Sequence, residues 1–177
     1  LQPGRVVTLC GPGGIGKTAL AAEVVWSLAP ENAPPERFPD GVVFHSFYNR
    51  PQAALALESM ALAYGEDPRP SPHAAAQRAL AGKCALLILD GAEDADDLRA
   101  VLSVRDRCGV LVTSRRRRDA VADRRDVTPL DPEDAVALLR RWGGDHVRDD
   151  AAAARICELV GHLPLAVRLV GHYLDET

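Results

Sequence analysis

Residues 10–18, Cys-Gly-Pro-Gly-Gly-Ile-Gly-Lys-Thr, decide how the rest of the chain is interpreted. From Gly11 they match the pattern G-x-x-x-x-G-K-[ST], a phosphate-binding loop. The glycines let the main chain approach a phosphate closely and turn backbone N–H groups toward it. A helix that begins directly after such a loop adds its positive N-terminal end. The stretch therefore predicts a nucleotide phosphate site between a strand and a helix.

Two side chains of the loop carry its chemistry. Lys17 is expected to place its charge on the outer phosphates, and the Thr18 hydroxyl is expected to ligate Mg²⁺. Lys17 is one of only two lysines in the chain, beside nineteen arginines, which favours a site that needs a compact, flexible ammonium. The predicted cofactor-binding residues of this region are Gly11, Gly13, Gly14, Ile15, Gly16, Lys17, Thr18 and Ala19.

Composition narrows the class of protein. A chain of 177 residues with 47% hydrophobic and 26% charged residues is typical of one globular domain with a small appendage. The net charge of −4 gives no general attraction to nucleic acid or to an anionic membrane, and no apolar run reaches the roughly 20 residues of a membrane span. We therefore expect a cytoplasmic protein that contacts no membrane and makes no direct nucleic-acid contact through this part of the chain.

The four cysteines are widely spaced and form no C-x-x-C pair. This spacing argues against a zinc site and against a disulfide framework. It favours small buried side chains in a reducing compartment. The cysteines are Cys10, Cys84, Cys108 and Cys157.

Apolar runs that alternate with helical patterns predict an α/β fold, a parallel sheet with helices on both faces. In such a sheet the ligand lies at the carboxyl ends of the strands. The expected strands are residues 5–10, 42–47, 84–90, 109–114 and a weaker one at 124–128. The expected helices of this part are residues 17–29, one opened by Pro51, 71–82 and 94–102, with a proline-rich loop at 30–39.

The pattern changes after residue 128, where three helical stretches follow with no strand between them. Asp131, Asp150 and Pro164 stand at their starts. On the third helix we expect a buried stripe of Ala166, Leu169, Val170 and Tyr173. The sequence thus predicts a P-loop nucleotide-binding domain at 1–128 and a small all-helical subdomain at 129–177.

Asp90 ends an apolar strand about seventy residues after the loop, where P-loop proteins hold Mg²⁺ through water. The alternative is a carboxylate that caps the next helix. The following position is Gly91, where ATPases of this class often carry a second acid that activates water. Glu93 and Asp94 lie two and three residues beyond the usual position of that second acid. A shift of this size changes the direction in which a carboxylate points. We therefore predict slow or absent hydrolysis.

Arg115 follows the fourth strand in the sequence Thr-Ser-Arg. A guanidinium at that place is expected to sense or stabilise the charge of the terminal phosphate. The alternative is a solvated basic run, since Arg116–Arg118 continue it, and those three are expected on the surface. The predicted catalytic set is Lys17, Asp90 and Arg115, and the predicted metal ligands are Thr18 and Asp90.

Five segments in this order, GPGGIGKT, LLILDG, VLVTSR, LDPEDAVALL and GHLPLA, resemble the NB-ARC nucleotide-binding domains of the STAND class of P-loop ATPases. The resemblance covers nearly the whole chain. It implies a sheet order of 5-1-4-3-2, ATP or ADP with Mg²⁺ as cofactors, and Arg115 as a phosphate sensor. It also implies that Pro164 packs against the adenine or the sugar. In this family bound ADP holds a closed form, and exchange for ATP opens it to form oligomers or engage effectors.

The sequence departs from that family in its extent. The segment that precedes the first strand is reduced to residues 1–4, and the winged-helix, sensor and effector domains are absent. We therefore expect the central piece of a larger signalling or transcription-regulatory protein. The expected partners are an adenine nucleotide, the protein's own winged-helix, sensor and effector domains, and other copies in a nucleotide-dependent homo-oligomer.

Other functions remain open at this stage. In a competent ATPase that drives oligomerisation, Glu93 or a residue outside this sequence supplies the base. In a pure scaffold, the nucleotide only stabilises the fold. A small-molecule kinase needs an acceptor motif that the sequence does not show. A GTPase needs an N-K-x-D or T-K-x-D motif, and neither lysine lies in one.

Overall fold

The computed structural model describes residues 1–29 and 33–176, so residues 30–32 of the predicted loop lie outside it. Within these residues, five parallel strands form one sheet in the order β2-β3-β4-β1-β5. This confirms the predicted fold class and the order 5-1-4-3-2. The strands are β1 Val6–Cys10, β2 Val42–Ser46, β3 Leu86–Asp90, β4 Gly109–Ser114 and β5 Asp123–Asp126.

Helices follow the strands where the sequence carries caps and prolines. Ser71 caps the third helix by accepting a hydrogen bond from the Ala74 N–H at 3.3 Å, and Pro72 is its first residue. Pro51 does not open a helix as predicted, because the helix there begins only at Ala53. The helices are α1 Lys17–Leu28, α2 Ala53–Ala63, α3 Pro72–Leu80, α4 Leu98–Ser103, α5 Pro132–Gly143, α6 Asp150–Leu159 and α7 Pro164–Asp175.

The stretch predicted as one helix over residues 94–102 is divided in two. A short 3₁₀ turn occupies Ala92–Asp94, and α4 begins only at Leu98. Asp97 caps α4 by accepting a hydrogen bond from the Ala100 N–H at 2.9 Å. The side-chain cap stops helical bonding from extending backward, which is why the turn after β3 stays separate.

The described chain falls into two compact units. The first contains Leu1–Cys10 and Thr18–Asp126, and the second contains Gly11–Lys17 together with the chain from Val127 onward. In the first unit, β3 and β4 are buried along their whole length, as central strands of a sheet covered on both faces. β5 is mostly exposed and carries only charged residues, a composition that discourages edge-to-edge pairing.

The second unit packs α7 with a different face from the one predicted. Val167 and Gly171 are buried, whereas Leu169 and Tyr173 are 59% and 66% exposed. Gly171 explains the rotation, because a Cβ placed on it would lie 2.7 Å from the Cβ of Trp142 in α5. The two helices therefore approach each other at the glycine, and the buried stripe moves by one residue.

Three of the four thiols follow the expectation of small buried side chains. All four cysteines are free; Cys10, Cys108 and Cys157 are buried, and Cys84 is partly exposed. Burial is the largest cause that raises the pKa of the three buried thiols, so they remain protonated and unreactive at neutral pH. Among residues 1–29 and 33–176, no helix combines the length and apolar composition that crossing a membrane requires.

His45, in β2, predicts a pH dependence of stability. Its ring is buried, its Nε2 has no hydrogen-bond partner, and burial is the main cause that lowers its pKa. As pH falls below the ordinary histidine value of about 6.5, the unfolded chain takes up a proton that the folded chain resists. Stability is therefore fully present above that pH and declines below it.

The measurement is urea unfolding of the wild-type chain and of His45→Gln between pH 5 and pH 7.5. We expect the free energy of unfolding of the wild type to fall more steeply toward acid than that of the variant. Parallel curves for the two proteins would contradict the prediction, since carboxylates contribute equally to both.

Candidate functional site

The phosphate loop begins after β1 and has the backbone that its glycines allow. Gly14 and Gly16 have φ angles of +78° and +95°, in the left-handed region that favours glycine. The Lys17 ammonium donates to the Gly11 carbonyl at 2.9 Å and to the Pro12 carbonyl at 3.0 Å. Lys17 is only 5% exposed. The loop's own carbonyls hold this buried ammonium within the loop, where it can donate hydrogen bonds to phosphate oxygens.

The start of α7 lies against this loop, within the second unit. The Leu165 N–H donates to the Gly14 carbonyl at 3.2 Å. The Pro164 Cγ lies 4.0 Å from the place that a Cβ on Gly16 would take. The structure thus brings Pro164, which the resemblance singles out, to the glycines of the loop. Leu165 was missed by sequence reasoning, although its place directly after Pro164 in GHLPLA was an available signal.

Gly14→Ala should destabilise the loop. The added Cβ would lie 3.2 Å from the Leu165 Cβ, and the φ of +78° disfavours any L side chain by about 1–2 kcal/mol. We expect the melting temperature to fall by several degrees, as ~1–2 kcal/mol does in a domain of this size. The control is Gly65→Ala, at φ +76° with open space around it. Equal shifts for the two variants would show that contact with Leu165 contributes nothing.

A second group of candidate site residues, the Asp90 group, lies in the first unit and consists of Asp90 at the end of β3 with Thr18 and Thr113. Asp90 is 3% exposed, and its Oδ1 accepts hydrogen bonds from the Thr18 hydroxyl at 2.8 Å and the Thr113 hydroxyl at 2.7 Å. Thr113 in turn accepts the Gly91 N–H at 3.0 Å. The structure therefore brings the two predicted metal ligands together. It adds Thr113 as the residue that orients Asp90, a role that sequence reasoning did not assign.

These oxygens fit Mg²⁺ in kind. A hydroxyl and a carboxylate are hard oxygen donors, and Mg²⁺ is usually held by one or two protein groups plus phosphates and water. Across the described ranges 1–29 and 33–176, no cluster of three or more histidine, cysteine, aspartate or glutamate side chains could hold a metal by itself. An ion at Thr18 and Asp90 would thus depend on phosphate oxygens and water to complete its coordination.

Arg115 is paired with a carboxylate in the structure. Its Nε lies 3.1 Å from Glu93 Oε1, and its backbone N–H donates to Glu93 Oε2 at 3.0 Å. Burial is the largest single influence on Glu93 and acts to raise its pKa. The N–H groups of Glu93 and Arg115, the Tyr48 hydroxyl and the Arg115 charge outweigh it, so the net pKa is lowered. Arg115 thus has an acidic partner three residues beyond Asp90.

The remaining predicted residues differ in exposure. Ile15 is buried, and its Cγ2 lies 3.1 Å from the place that a Cβ on Gly11 would take, so it packs against the start of the loop. Gly13 lies in the loop without a positive φ. Ala19 is exposed in the first turn of α1. Their contacts with a nucleotide stay predictions.

A parallel sheet in the order 5-1-4-3-2, with a G-x-x-x-x-G-K-T loop after β1 and a buried aspartate at the end of β3, defines a P-loop NTPase domain. Residues 5–146 match the NACHT domain, so the chain belongs to that family and, with it, to the STAND class of P-loop NTPases. The narrower NB-ARC assignment stays a prediction.

Two curated relatives are similar to almost the whole of this chain. Regulatory protein AfsR from Streptomyces coelicolor is 32% identical over 97% of this chain, and AfsR from Streptomyces griseus is 31% identical over 96%. The chain spans 18% of the length of each.

Two solved structures share the fold. A STAND protein with a tetratricopeptide repeat sensor from Pyrococcus horikoshii superposes with a TM-score of 0.54 at 20% identity, over 94% of this chain and 27% of that one. Cdc6p from Pyrobaculum aerophilum gives 0.62 at 14% identity, over 94% of this chain and 52% of that one.

Proposed function

We propose that the chain is an ATP- and ADP-binding switch module of a larger signalling or transcription-regulatory STAND protein, with slow or absent ATP hydrolysis. The observation that carries the proposal is the hydrogen bond from the Leu165 N–H to the Gly14 carbonyl. The loop must turn its N–H groups around phosphates to bind them. A change in the number of bound phosphates therefore acts on a loop that α7 contacts through its first turn.

We assign different parts of nucleotide binding to the loop and to the Asp90 group. Lys17 supplies the positive charge for the outer phosphates, and the loop N–H groups supply neutral donors. Thr18 and Asp90 hold Mg²⁺, which neutralises phosphate charge when bound. Pro164 packs against the adenine or the sugar, as the resemblance implies, and Arg115 senses the terminal phosphate. Each of these roles is a proposal about a named side chain.

The slow rate follows from Gly91 and Glu93. Gly91 offers no carboxylate directly after Asp90. The Glu93 carboxylate accepts hydrogen bonds from the Tyr48 hydroxyl and the Arg115 backbone N–H, and it pairs with the Arg115 guanidinium. Its pKa is lowered. A general base works best with a pKa near the working pH. A carboxylate held in this way is a weak base at neutral pH.

A competent ATPase is the second candidate, and Glu93 is the observation that favours it. It is a buried carboxylate only three residues after Asp90 and next to an arginine. If Arg115 moved to a phosphate, Glu93 would lose a partner that lowers its pKa. Its basicity would rise at the same time as the substrate is bound.

The partners proposed for the whole protein rest on its relatives. Both AfsR proteins are named as regulatory proteins and are several times longer than this chain. We propose that winged-helix, sensor and effector domains of the same cytoplasmic protein respond to the bound nucleotide. ATP would favour a homo-oligomer, and ADP would favour the closed form.

The test is to denature freshly purified protein and identify the nucleotide that it releases. We expect ADP or ATP in near-equal amount to protein, and saturable binding of both in titrations. No nucleotide and no binding would overturn the proposal. Steady phosphate release from Mg-ATP at about one per second or faster, a rate typical of kinases, would favour the competent ATPase.

A further inference from the structure

An ion pair between the buried Glu93 and the half-exposed Arg115 lies beside the Asp90 group, and one aromatic side chain touches both of its members. The Glu93 side chain is only 4% exposed, and a buried carboxylate needs partners. Its Oε1 accepts the Tyr48 hydroxyl at 3.1 Å and lies 3.1 Å from the Arg115 Nε. The carbon centre of the Arg115 guanidinium lies 5.3 Å from the centroid of the Tyr48 ring, within cation–π distance.

The Tyr48 ring also fills the space beside Gly91. A Cβ placed on Gly91 would lie 2.8 Å from the Tyr48 Cζ, and the φ of Gly91 is +74°. A second acid at this position would therefore collide with the ring and strain the backbone. The Tyr48 ring can occupy this space only because residue 91 is a glycine.

We propose that Tyr48 is a positioning residue that restrains hydrolysis by holding Glu93 and Arg115 against each other. This inference rests on the proposed function, because it assigns the restraint on the same site. In hydrolysis, the water oxygen bonds to the γ-phosphorus, the bond from that phosphorus to the bridging oxygen breaks, and a base takes the water proton. The Tyr48 hydroxyl donates to the carboxylate that would be this base.

The state of the hydroxyl supports the assignment. Burial first, and then the charge of Glu93, raise the pKa of Tyr48. The hydroxyl therefore remains protonated throughout the neutral range and remains a donor. A hydrogen bond to the charged form of a carboxylate stabilises that form and reduces its basicity. Removing the bond should make Glu93 a better base.

Tyr48→Phe is the informative variant, because it keeps the ring beside Gly91 and Arg115 and removes only the hydroxyl. Tyr64→Phe is the matched control; its hydroxyl is also part-buried but donates to the Asp40 carbonyl at 2.9 Å. We expect Tyr48→Phe to release phosphate from Mg-ATP faster by on the order of tenfold, the effect of one hydrogen bond to a charged group. Its nucleotide affinity should stay within about twofold of wild type, since nucleotide binding does not depend on this hydroxyl.

The pH profile separates positioning from a merely structural effect. In Tyr48→Phe the acid limb of the rate should move to higher pH, because the base now has a higher pKa. In Tyr64→Phe neither the rate nor the profile should change. An unchanged or slower rate in Tyr48→Phe, or an unmoved profile, would overturn the inference.

A second measurement needs no nucleotide. It therefore tests the role of Tyr48 independently of whether the chain binds ATP as proposed. Carbon-13 NMR of labelled glutamate carboxylates, followed against pH, reports the pKa of Glu93 in the free chain. That pKa should rise in Tyr48→Phe and stay constant in Tyr64→Phe. A constant value in both variants would overturn the assignment even if ATP binds as proposed.

The placement of the ring is tested by a double-mutant cycle. Gly91→Ala should lower the melting temperature, because its Cβ meets the Tyr48 ring. Combining it with Tyr48→Ser should recover part of that loss, since the ring is then absent. Strictly additive losses would show that the ring does not occupy the space beside Gly91.

Discussion

Lys17→Ala should remove nucleotide binding while leaving the chain folded. The ammonium is buried and already faces two loop carbonyls, so it is placed to donate charge-assisted hydrogen bonds to phosphate oxygens. Loss of bonds to a charged group costs about 1.5–3 kcal/mol each. With two such bonds we expect ADP and ATP to bind at least ~100-fold more weakly. Isothermal titration of both nucleotides gives the affinities, and circular dichroism reports the fold.

Lys83→Ala is the control, since it removes the second lysine, which pairs with Asp40 in the first unit. It should bind nucleotides as the wild type does. Thermal melting with and without ADP then distinguishes a switch from a scaffold. A switch variant melts as the nucleotide-free wild type does and gains nothing from ADP. If Lys17→Ala were unfolded at room temperature, the nucleotide would be a structural part of the fold.

Asp90→Asn should remove the contribution of Mg²⁺ to ATP binding. Asparagine keeps the shape of the side chain, and its carbonyl oxygen can still accept from Thr18 and Thr113, so the fold should hold. The negative charge that favours the cation is lost. We expect Mg²⁺ affinity to fall by about 10–100-fold, as it does when groups around a metal are replaced. ATP affinity, measured with Mg²⁺ and with EDTA, should become nearly the same.

The control for this variant is Asp94→Asn, an exposed acid in the 3₁₀ turn that follows Asp90. It carries the same change of charge four residues away. Its ATP affinity should differ between Mg²⁺ and EDTA as much as that of the wild type does. A normal Mg²⁺ effect in Asp90→Asn would remove Asp90 from the metal site and leave it the role of orienting Thr18 and Thr113.

Most of the fold was predictable because its signals are local. Each buried strand is a continuous apolar run, and the segments between strands carry caps or prolines that begin helices. The order of strands was implied by the family resemblance, and the structure confirms it. One error, the choice of the buried face of α7, occurred where tertiary packing determined which residues are buried. The buried face of α7 depends on close contact at Gly171, which helical periodicity does not encode.

The candidate site was predictable only in part, for the same reason. The Thr18–Asp90 pair joins two motif residues whose roles are each readable in sequence. Thr113 also lies in a motif of the sequence, but its hydrogen bond to Asp90 forms only because β4 lies next to β3. Tyr48 lies outside the sequence motifs and follows β2 by two residues. Nothing in its neighbourhood marks it as part of a site.

By itself, the sequence determined the phosphate loop, because that loop is made of consecutive residues and its chemistry depends on glycine backbone and one lysine. It also determined the alternation of strands and helices, and with it the edge of the sheet where Asp90 and Arg115 stand. Only the tertiary structure decided what Glu93 meets. Its partners Tyr48 and Arg115 are 45 and 22 residues away along the chain. Side chains so far apart meet only because neighbouring parallel strands carry them to the same end of the sheet.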